Sequence, residues 1–314
     1  MKAPRFKLPP AVLMRAKTHG HVGSNWVEQL DRTVAALEAK WAFEAGEVLS
    51  GGSESLVVTA RYLDGREAIL KVGLPNSADL ASEAHVYRLA GGRGYANVIA
   101  HDAAHNAILL ERLGKPLAAY NLPVRQQIEI LCETLHEAWR PLLEPNGLMT
   151  GEEKAHWLAA YISDLWPQFE SPHLRTRDLA IAYAHDRAAA FDPTRCVLVH
   201  GDAHAYNLLT VNNQPAPKRY KLIDPDGLFA EPAVDLAVLM RGWSAELLAG
   251  DALALGQSRC QLLADLTGVE PDAIWRWGFI ERVSTGLTLL KIGMEEEGRK
   301  MLMVADMFSQ WGRI

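Results

Sequence analysis

The sequence predicts an α+β fold in two lobes: a small antiparallel sheet with one key helix, then a larger, mainly helical lobe. Three observations predict it. Most β-rich runs lie before residue 113, and two of them flank Asp64-Gly65, a hairpin dipeptide. From residue 115 onward, apolar residues recur mostly at helical spacing. Within that helical half, two short apolar runs end in polar loops, V-L-V-H-G-D-A-H-A-Y-N from Val197 and Y-K-L-I-D-P-D-G from Tyr220. The expected division is 1–113 and 114–314.

Residues 1–23 are punctuated by Pro and Gly and read as a surface segment. Asn25 with Glu28 forms a capping box, and Trp26, Leu30, Val34, Leu37 and Trp41 make one helical face. Ser50 to Ser55 is a Gly/Ser loop. It reads either as a flexible turn or as a phosphate cradle in which Ser53 offers a hydroxyl. The strand L-V-V-T-A-R-Y-L, the Asp64-Gly65 turn and the strand E-A-I-L-K-V follow. On the second strand, Leu70 and Val72 face one way and Lys71 the other. A lysine in an apolar strand is costly to bury without a partner. Residues 79–90 read as a helix ending at Gly91-Gly92, and it carries Glu83, twelve positions after Lys71. Two further strands, 98–101 and 107–111, lead into L-L-E-R-L-G. Near Glu111 and Leu113, backbone groups at the lobe junction can meet an adenine edge.

In the second half, Pro123 starts a helix striped by Ile128, Leu131, Leu135 and Trp139. Trp157, Tyr161, Leu165 and Trp166 mark another, and 175–191 a third. After E-P-A-V-D, with Pro232 at a helix start, helices are expected over 233–249, 251–266, 271–292 and 296–311. Trp243, Trp275 and Trp277 read as core residues.

The chemistry concentrates in the two loops. Asp202 and Asn207 stand five positions apart, and Asp224 follows the next apolar run. Two carboxylates and an amide form a hard, oxygen-rich set of the kind Mg²⁺ shares with substrate phosphates. The spacing D-x-x-x-x-N with a later Asp is that of the protein-kinase catalytic loop. A strand lysine paired with a glutamate on the next helix is the kinase device for holding nucleotide phosphates. A competing reading takes His200 and His204 as a zinc pair, which needs a helix where Gly201 argues for a loop.

Composition excludes several classes. Net charge is −6, which implies no broad basic surface for nucleic acid. Three scattered cysteines, Cys132, Cys196 and Cys260, support neither a zinc ribbon nor a disulfide framework. No apolar run is long enough to span a membrane, and the N-terminus lacks a secretory h-region, so a cytoplasmic monomer or homodimer is expected.

H-G-D-A-H-A-Y-N, I-D-P-D-G and E-P-A-V-D, with A-I-L-K-V and L-L-E-R-L-G, resemble the aminoglycoside phosphotransferases of the protein-kinase-like fold. The branch is that of the streptomycin 6-phosphotransferases and hydroxyurea-resistance kinases, and the resemblance covers about Glu47 to Asp306. It implies ATP·Mg²⁺-dependent transfer to a hydroxyl of a small molecule. It implies Asp202 as catalytic aspartate, Asn207 and Asp224 as Mg²⁺ ligands, Lys71 on the α- and β-phosphates, and Glu83 holding Lys71. His200 becomes structural. Gly201 stands where protein kinases have Arg, and six residues separate Asp224 from Glu231, too few for an activation loop. The acceptor pocket is expected between the Asp202 loop and the last helices, with Asp226, Glu231 or Glu281 near its entrance. Asp226 has other readings, as a contact for a second metal or as a solvated turn residue. A metabolic small-molecule kinase and a non-catalytic nucleotide-binding module remain alternatives.

Overall fold

The computed structural model describes residues 4–169, 174–212 and 219–311. Two compact units emerge, one formed by residues 1–115 with 210–221, the other by 116–209 with 222–314.

The first unit begins with α1 (Pro10–Thr18) and α2 (Gly20–Trp41). This corrects the expected surface segment. Pro10 sits in the first turn, where its missing N–H costs nothing, and Phe6, Leu8, Val12 and Ala16 join the core. Asn25 is therefore no cap; α2 starts five residues earlier, and Asn25 only accepts from Gln29. Gly23 is where α2 passes α1, since a Cβ there would lie 1.9 Å from the Ala16 carbonyl oxygen. Trp26, Leu30, Val34 and Leu37 are buried as the stripe demands, while Trp41 is only partly so.

Five strands follow: β1 (Phe43–Val48), β2 (Ser55–Tyr62), β3 (Glu67–Gly73), β4 (Val98–Asp102) and β5 (Ala107–Glu111). Their order is β1-β2-β3-β5-β4, with antiparallel pairing throughout. The alternation of β3 decides which face Lys71 takes. Ala68, Leu70 and Val72 are buried with Leu56, Val58 and Leu109 against α1 and α2. Lys71 points to the other face, beside Val57 and Ile108 on the neighbouring strands. α3 (Leu80–Ala90) is capped by Asp79, which accepts from the N–H groups of Ala81 and Ser82, and ends at Gly91 with φ of 59°. Asn106, in the β4–β5 turn, accepts from the Leu80 N–H at 3.1 Å and donates to the Ala78 carbonyl at 2.7 Å. That turn fixes where α3 starts, and hence where Glu83 points.

The second unit is mainly helical. It contains α4 (Val124–Ala138), β6 (Arg140–Pro141), β7 (Met149–Thr150), α5 (Gly151–Leu165) and α6 (Leu174–Ala189). β8 (Val197–Val199) and β11 (Leu228–Ala230) also belong here, while β9 (Leu208–Thr210) and β10 (Tyr220–Leu222) stand at the two ends of the 210–221 stretch. β6-β8-β11-β7 form a small sheet, in which Val199 faces Leu228 on an antiparallel partner. This pairing brings together the start of the Asp202 loop and the end of the Asp224 loop. The remaining helices are α7 (Ala233–Arg241), α8 (Ser244–Leu248), α9 (Ala252–Thr267), α10 (Pro271–Lys291) and α11 (Glu295–Phe308).

Two expectations are corrected here. The helix expected over 233–249 breaks at Gly242 and Trp243, the latter at φ of 54°. On α5 Leu158, Ile162 and Leu165 are among the buried positions, whereas Trp157 is 53% exposed and stacks on Tyr161. Trp275 and Trp277 are core residues as expected, and α10 is buried on nearly all sides because α6, α7 and α11 surround it. No helix among the described residues is long and apolar enough to cross a membrane.

Candidate active site

In the first unit, Lys71 Nζ lies 2.6 Å from Glu83 Oε2, and the other carboxylate oxygen accepts from Tyr87 Oη at 3.2 Å. Only 15% and 9% of the two side chains is exposed. Ser53 is exposed in the β1–β2 loop. The Glu111 carboxylate is engaged by the Asn97 N–H and amide and by Lys221. Leu113 is buried.

The Asp202 loop is built from backbone pins. Asp235, fully buried in the first turn of α7, accepts from the His200 N–H at 3.0 Å and the Gly201 N–H at 2.7 Å. Its Oδ2 also accepts from Trp139 Nε1 at 2.9 Å. His200 Nε2 meets the Ile223 carbonyl at 2.8 Å and its Nδ1 meets the Asp202 N–H at 3.1 Å. A carbonyl only accepts and an amide N–H only donates, so the ring carries its proton on Nε2. Both ring nitrogens are thus occupied, which removes His200 as a zinc ligand. Among the described residues no group of three or more His, Cys, Asp or Glu side chains is arranged around a metal position.

Gly201 has φ of 88°, and a Cβ there would lie 2.9 Å from the Asp226 Cβ. That geometry requires glycine where protein kinases carry arginine. Ile223 donates to the Asn207 carbonyl at 2.9 Å while its own carbonyl takes His200. The residue before Asp224 is therefore tied to both ends of the Asp202 loop. Asp224 itself is exposed, with φ of 55°, a left-handed conformation that Asp tolerates better than most residues.

Asn207 donates its amide to the Asp202 carbonyl at 3.1 Å, which leaves its Oδ1 as a hard oxygen ligand. With the Asp224 carboxylate, this donor set suits Mg²⁺, which takes one or two protein oxygens and completes its shell from phosphate and water.

Asp202 accepts from Arg241 Nη2 on Oδ1, and His204 Nε2 lies 3.3 Å from Oδ2. Arg241 Nη1 reaches Glu281 at 3.1 Å, and Lys154 Nζ lies 2.9 Å from the other Glu281 oxygen. Burial alone would raise the Asp202 carboxyl; His204 and Arg241 outweigh it and hold it well below the ordinary range. Burial likewise opposes ionisation of Glu281, and Lys154 and Arg241 reverse that. Asp226 moves the other way: loss of water and the nearby Asp202 charge raise it, against the pull of Lys154.

Two expected acceptor residues lie elsewhere than at a pocket entrance. Glu281 is buried, with 5% of its side chain exposed, behind Arg241. The Glu231 carboxylate is taken by Arg187 at 2.8 Å and Trp277 Nε1 at 2.8 Å. Sequence reasoning overlooked Arg241 and Lys154, and the roles of Trp139 and Asp235 in pinning the loop. One signal was readable: A-V-D-L-A-V-L-M-R carries two charges, Asp235 and Arg241, on a helix whose other residues are all apolar.

Comparison with known proteins gives a consistent picture. The chain is 24% identical to streptomycin 6-kinase of Streptomyces griseus over 292 residues, 93% of either chain. It is 27% identical to hydroxyurea phosphotransferase of Kitasatospora aureofaciens over 256 residues, covering 77% of this chain and 72% of the relative. A macrolide 2'-phosphotransferase from Brachybacterium faecium superposes with a TM-score of 0.58 at 16% identity, covering 90% of this chain and 98% of the other. A choline kinase from Streptococcus pneumoniae gives 0.61 at 14%, covering 90% and 100%. The fold is thus protein-kinase-like. Residues 40–293 match the family described as aminoglycoside/hydroxyurea antibiotic resistance kinase, and the chain belongs to that family of small-molecule phosphotransferases.

Proposed function

We propose that the chain transfers the γ-phosphoryl group of ATP, with Mg²⁺, to a hydroxyl of a streptomycin-type aminoglycoside. The observation that carries this is the loop in which Asp202 is fixed by Asp235 and His200 beside Asn207. The similarity to a streptomycin 6-kinase over 93% of both chains supports the choice of acceptor.

In this reading Lys71, held by Glu83, binds the α- and β-phosphates, and Asn207 with Asp224 holds the metal. When bound, Mg²⁺ supplies charge neutralisation on the phosphates. Asp202 orients the acceptor hydroxyl and receives its proton as the new O–P bond forms and the bond to the ADP oxygen breaks. A carboxylate held well below its usual pKa is a weak base. It suffices, because in a loose transition state the acceptor loses its proton late, and aiming the oxygen matters more than basicity. Asp226 is the acidic group assigned to a cationic acceptor, at the exposed turn after Asp224. In this reading the enzyme works in the cytoplasm, where ATP is available.

The test is nucleotide consumption against a panel of aminoglycosides, sugars and amino alcohols. Stimulation by streptomycin, weakening with added salt as charges are screened, is expected. Turnover on a neutral metabolite with none on streptomycin would replace the acceptor assignment with a metabolic one.

A further inference from the structure

Asp202 carries an unusual load. A carboxylate offers roughly four lone-pair positions. Here Arg241 takes Oδ1, while His204 and Asn207 approach Oδ2 at 3.3 and 3.5 Å. What remains is a restricted direction for an acceptor hydroxyl. The contact from Arg241 differs from the other two, because Arg241 is itself built in from behind.

Its guanidinium bridges two carboxylates. One nitrogen reaches Asp202 and the other Glu281, and Lys154 Nζ closes the far side of Glu281 at 2.9 Å. Charges therefore alternate along Asp202, Arg241, Glu281 and Lys154. The backbone on either side of Arg241 is also gripped. Arg282 Nη2 donates to the Met240 carbonyl at 2.6 Å and the Gly242 carbonyl at 3.2 Å, and Arg259 Nη1 donates to the Gly242 carbonyl at 3.0 Å. Two cations at the C-terminus of α7 suit the negative end of the helix dipole. Arg282 is fully buried and bound to neutral acceptors, and burial with the neighbouring Arg259 and Arg241 charges pushes it down to about 9. The helix break after Arg241 is thus a constructed one.

We propose that Arg241 is the positioning residue of Asp202, fixing the direction in which the carboxylate meets the acceptor hydroxyl, with Glu281 and Lys154 as its support. The proposal rests on the phosphotransferase reading above. It explains why the residue is arginine. Only a planar fork reaches two carboxylates at once with fixed angles; a lysine ammonium would supply charge without orientation. It also explains why Glu281 lies buried: it acts on Arg241 and never meets the acceptor.

The test begins with the parent enzyme and a working acceptor. Arg241→Ala should lower kcat by about 10²-fold, the lower end for a misplaced acid–base group, with nucleotide affinity and acceptor KM nearly unchanged. Millimolar guanidinium should restore part of that turnover, whereas sodium chloride at equal ionic strength should not. Arg241→Lys should fall between alanine and parent. Glu281→Gln keeps the shape and an oxygen that can accept from Arg241, and should lose about tenfold in kcat because the charge that holds Arg241 is gone.

Arg241→Ala with kcat within twofold of the parent overturns the proposal. So does a loss that guanidinium leaves untouched and that lysine does not soften, since that pattern marks a structural role. If Arg241→Ala fails to fold, Glu281→Gln with parental kcat overturns it alone. A parent that consumes no nucleotide with any acceptor overturns the functional reading itself, and the positioning role with it.

Discussion

Two buried ion-pair systems, one in each unit, contrast in construction. Lys71 and Glu83 pair at 2.6 Å between a strand and the next helix. The Asp202 system is a chain of four charges drawn from α5, the β8–β9 loop, α7 and α10. Neither is an obvious source of stability, since desolvation offsets most of the attraction in a buried pair. What each gains is placement of charge. The Lys71–Glu83 pair fixes where one cation stands. The four-member chain leaves one carboxylate aimed in one direction.

The contrast sharpens when a member is removed. Glu281→Leu leaves Lys154 and Arg241 as neighbouring buried cations, with 11% and 18% of their side chains exposed. It should cost about 3–5 kcal/mol in urea unfolding, the range for breaking a buried pair. A cost near zero would mean the chain is no more interdependent than a surface pair.

Asp235→Asn tests the pins beneath Asp202. Asp235 accepts from three N–H donors, and an asparagine NH₂ must face at least one of them. A loss of about 2–3 kcal/mol is expected, with reduced turnover. Parental stability would show that the loop holds its shape without that carboxylate.

Lys71→Ala should weaken nucleotide binding about 10- to 100-fold, the worth of one charge-assisted contact, while the fold persists. Unchanged affinity in calorimetry would contradict the role given to Lys71.

The smallest effect concerns a pair outside both systems. Asp102, 4% exposed, accepts from Lys40 at 2.7 Å and from the His105 N–H. The Lys40 bond, opposed by burial, holds its carboxyl well below the usual range. A depressed carboxyl stabilises the fold fully above its unfolded pKa of about 4 and loses that contribution as pH falls below it. Asp102→Asn should therefore cost about 1 kcal/mol at pH 7 and progressively less in acid, read from paired denaturation curves. A gap that widens in acid would reverse the sign argued here.

These cases also show what the sequence could reveal. Lys71 and Glu83 were legible because strand alternation and helix phase are local, and twelve residues separate them. The Asp202 loop was legible because its strand, glycine and polar residues are consecutive. Placement of the loop was not, because Asp235, Trp139 and Ile223 reach it from distant segments. α1 was hidden by prolines that read as breakers and serve as a helix start. The break after Arg241 was hidden because Arg282 and Arg259, which grip it, come from other helices. Glu231 and Glu281 were read as exposed acids because nothing near them in sequence announces Arg187, Arg241 or Lys154.

The central claim is that Asp202 serves turnover and not nucleotide binding. The direct measurement titrates ATP·Mg²⁺ into Asp202→Asn and the parent, then follows single-turnover phosphorylation of a working acceptor. Asparagine keeps the shape and removes the charge and the proton acceptor. The account predicts similar nucleotide affinity and a rate lower by about 10²–10⁴. Near-parental phosphorylation by Asp202→Asn would contradict it.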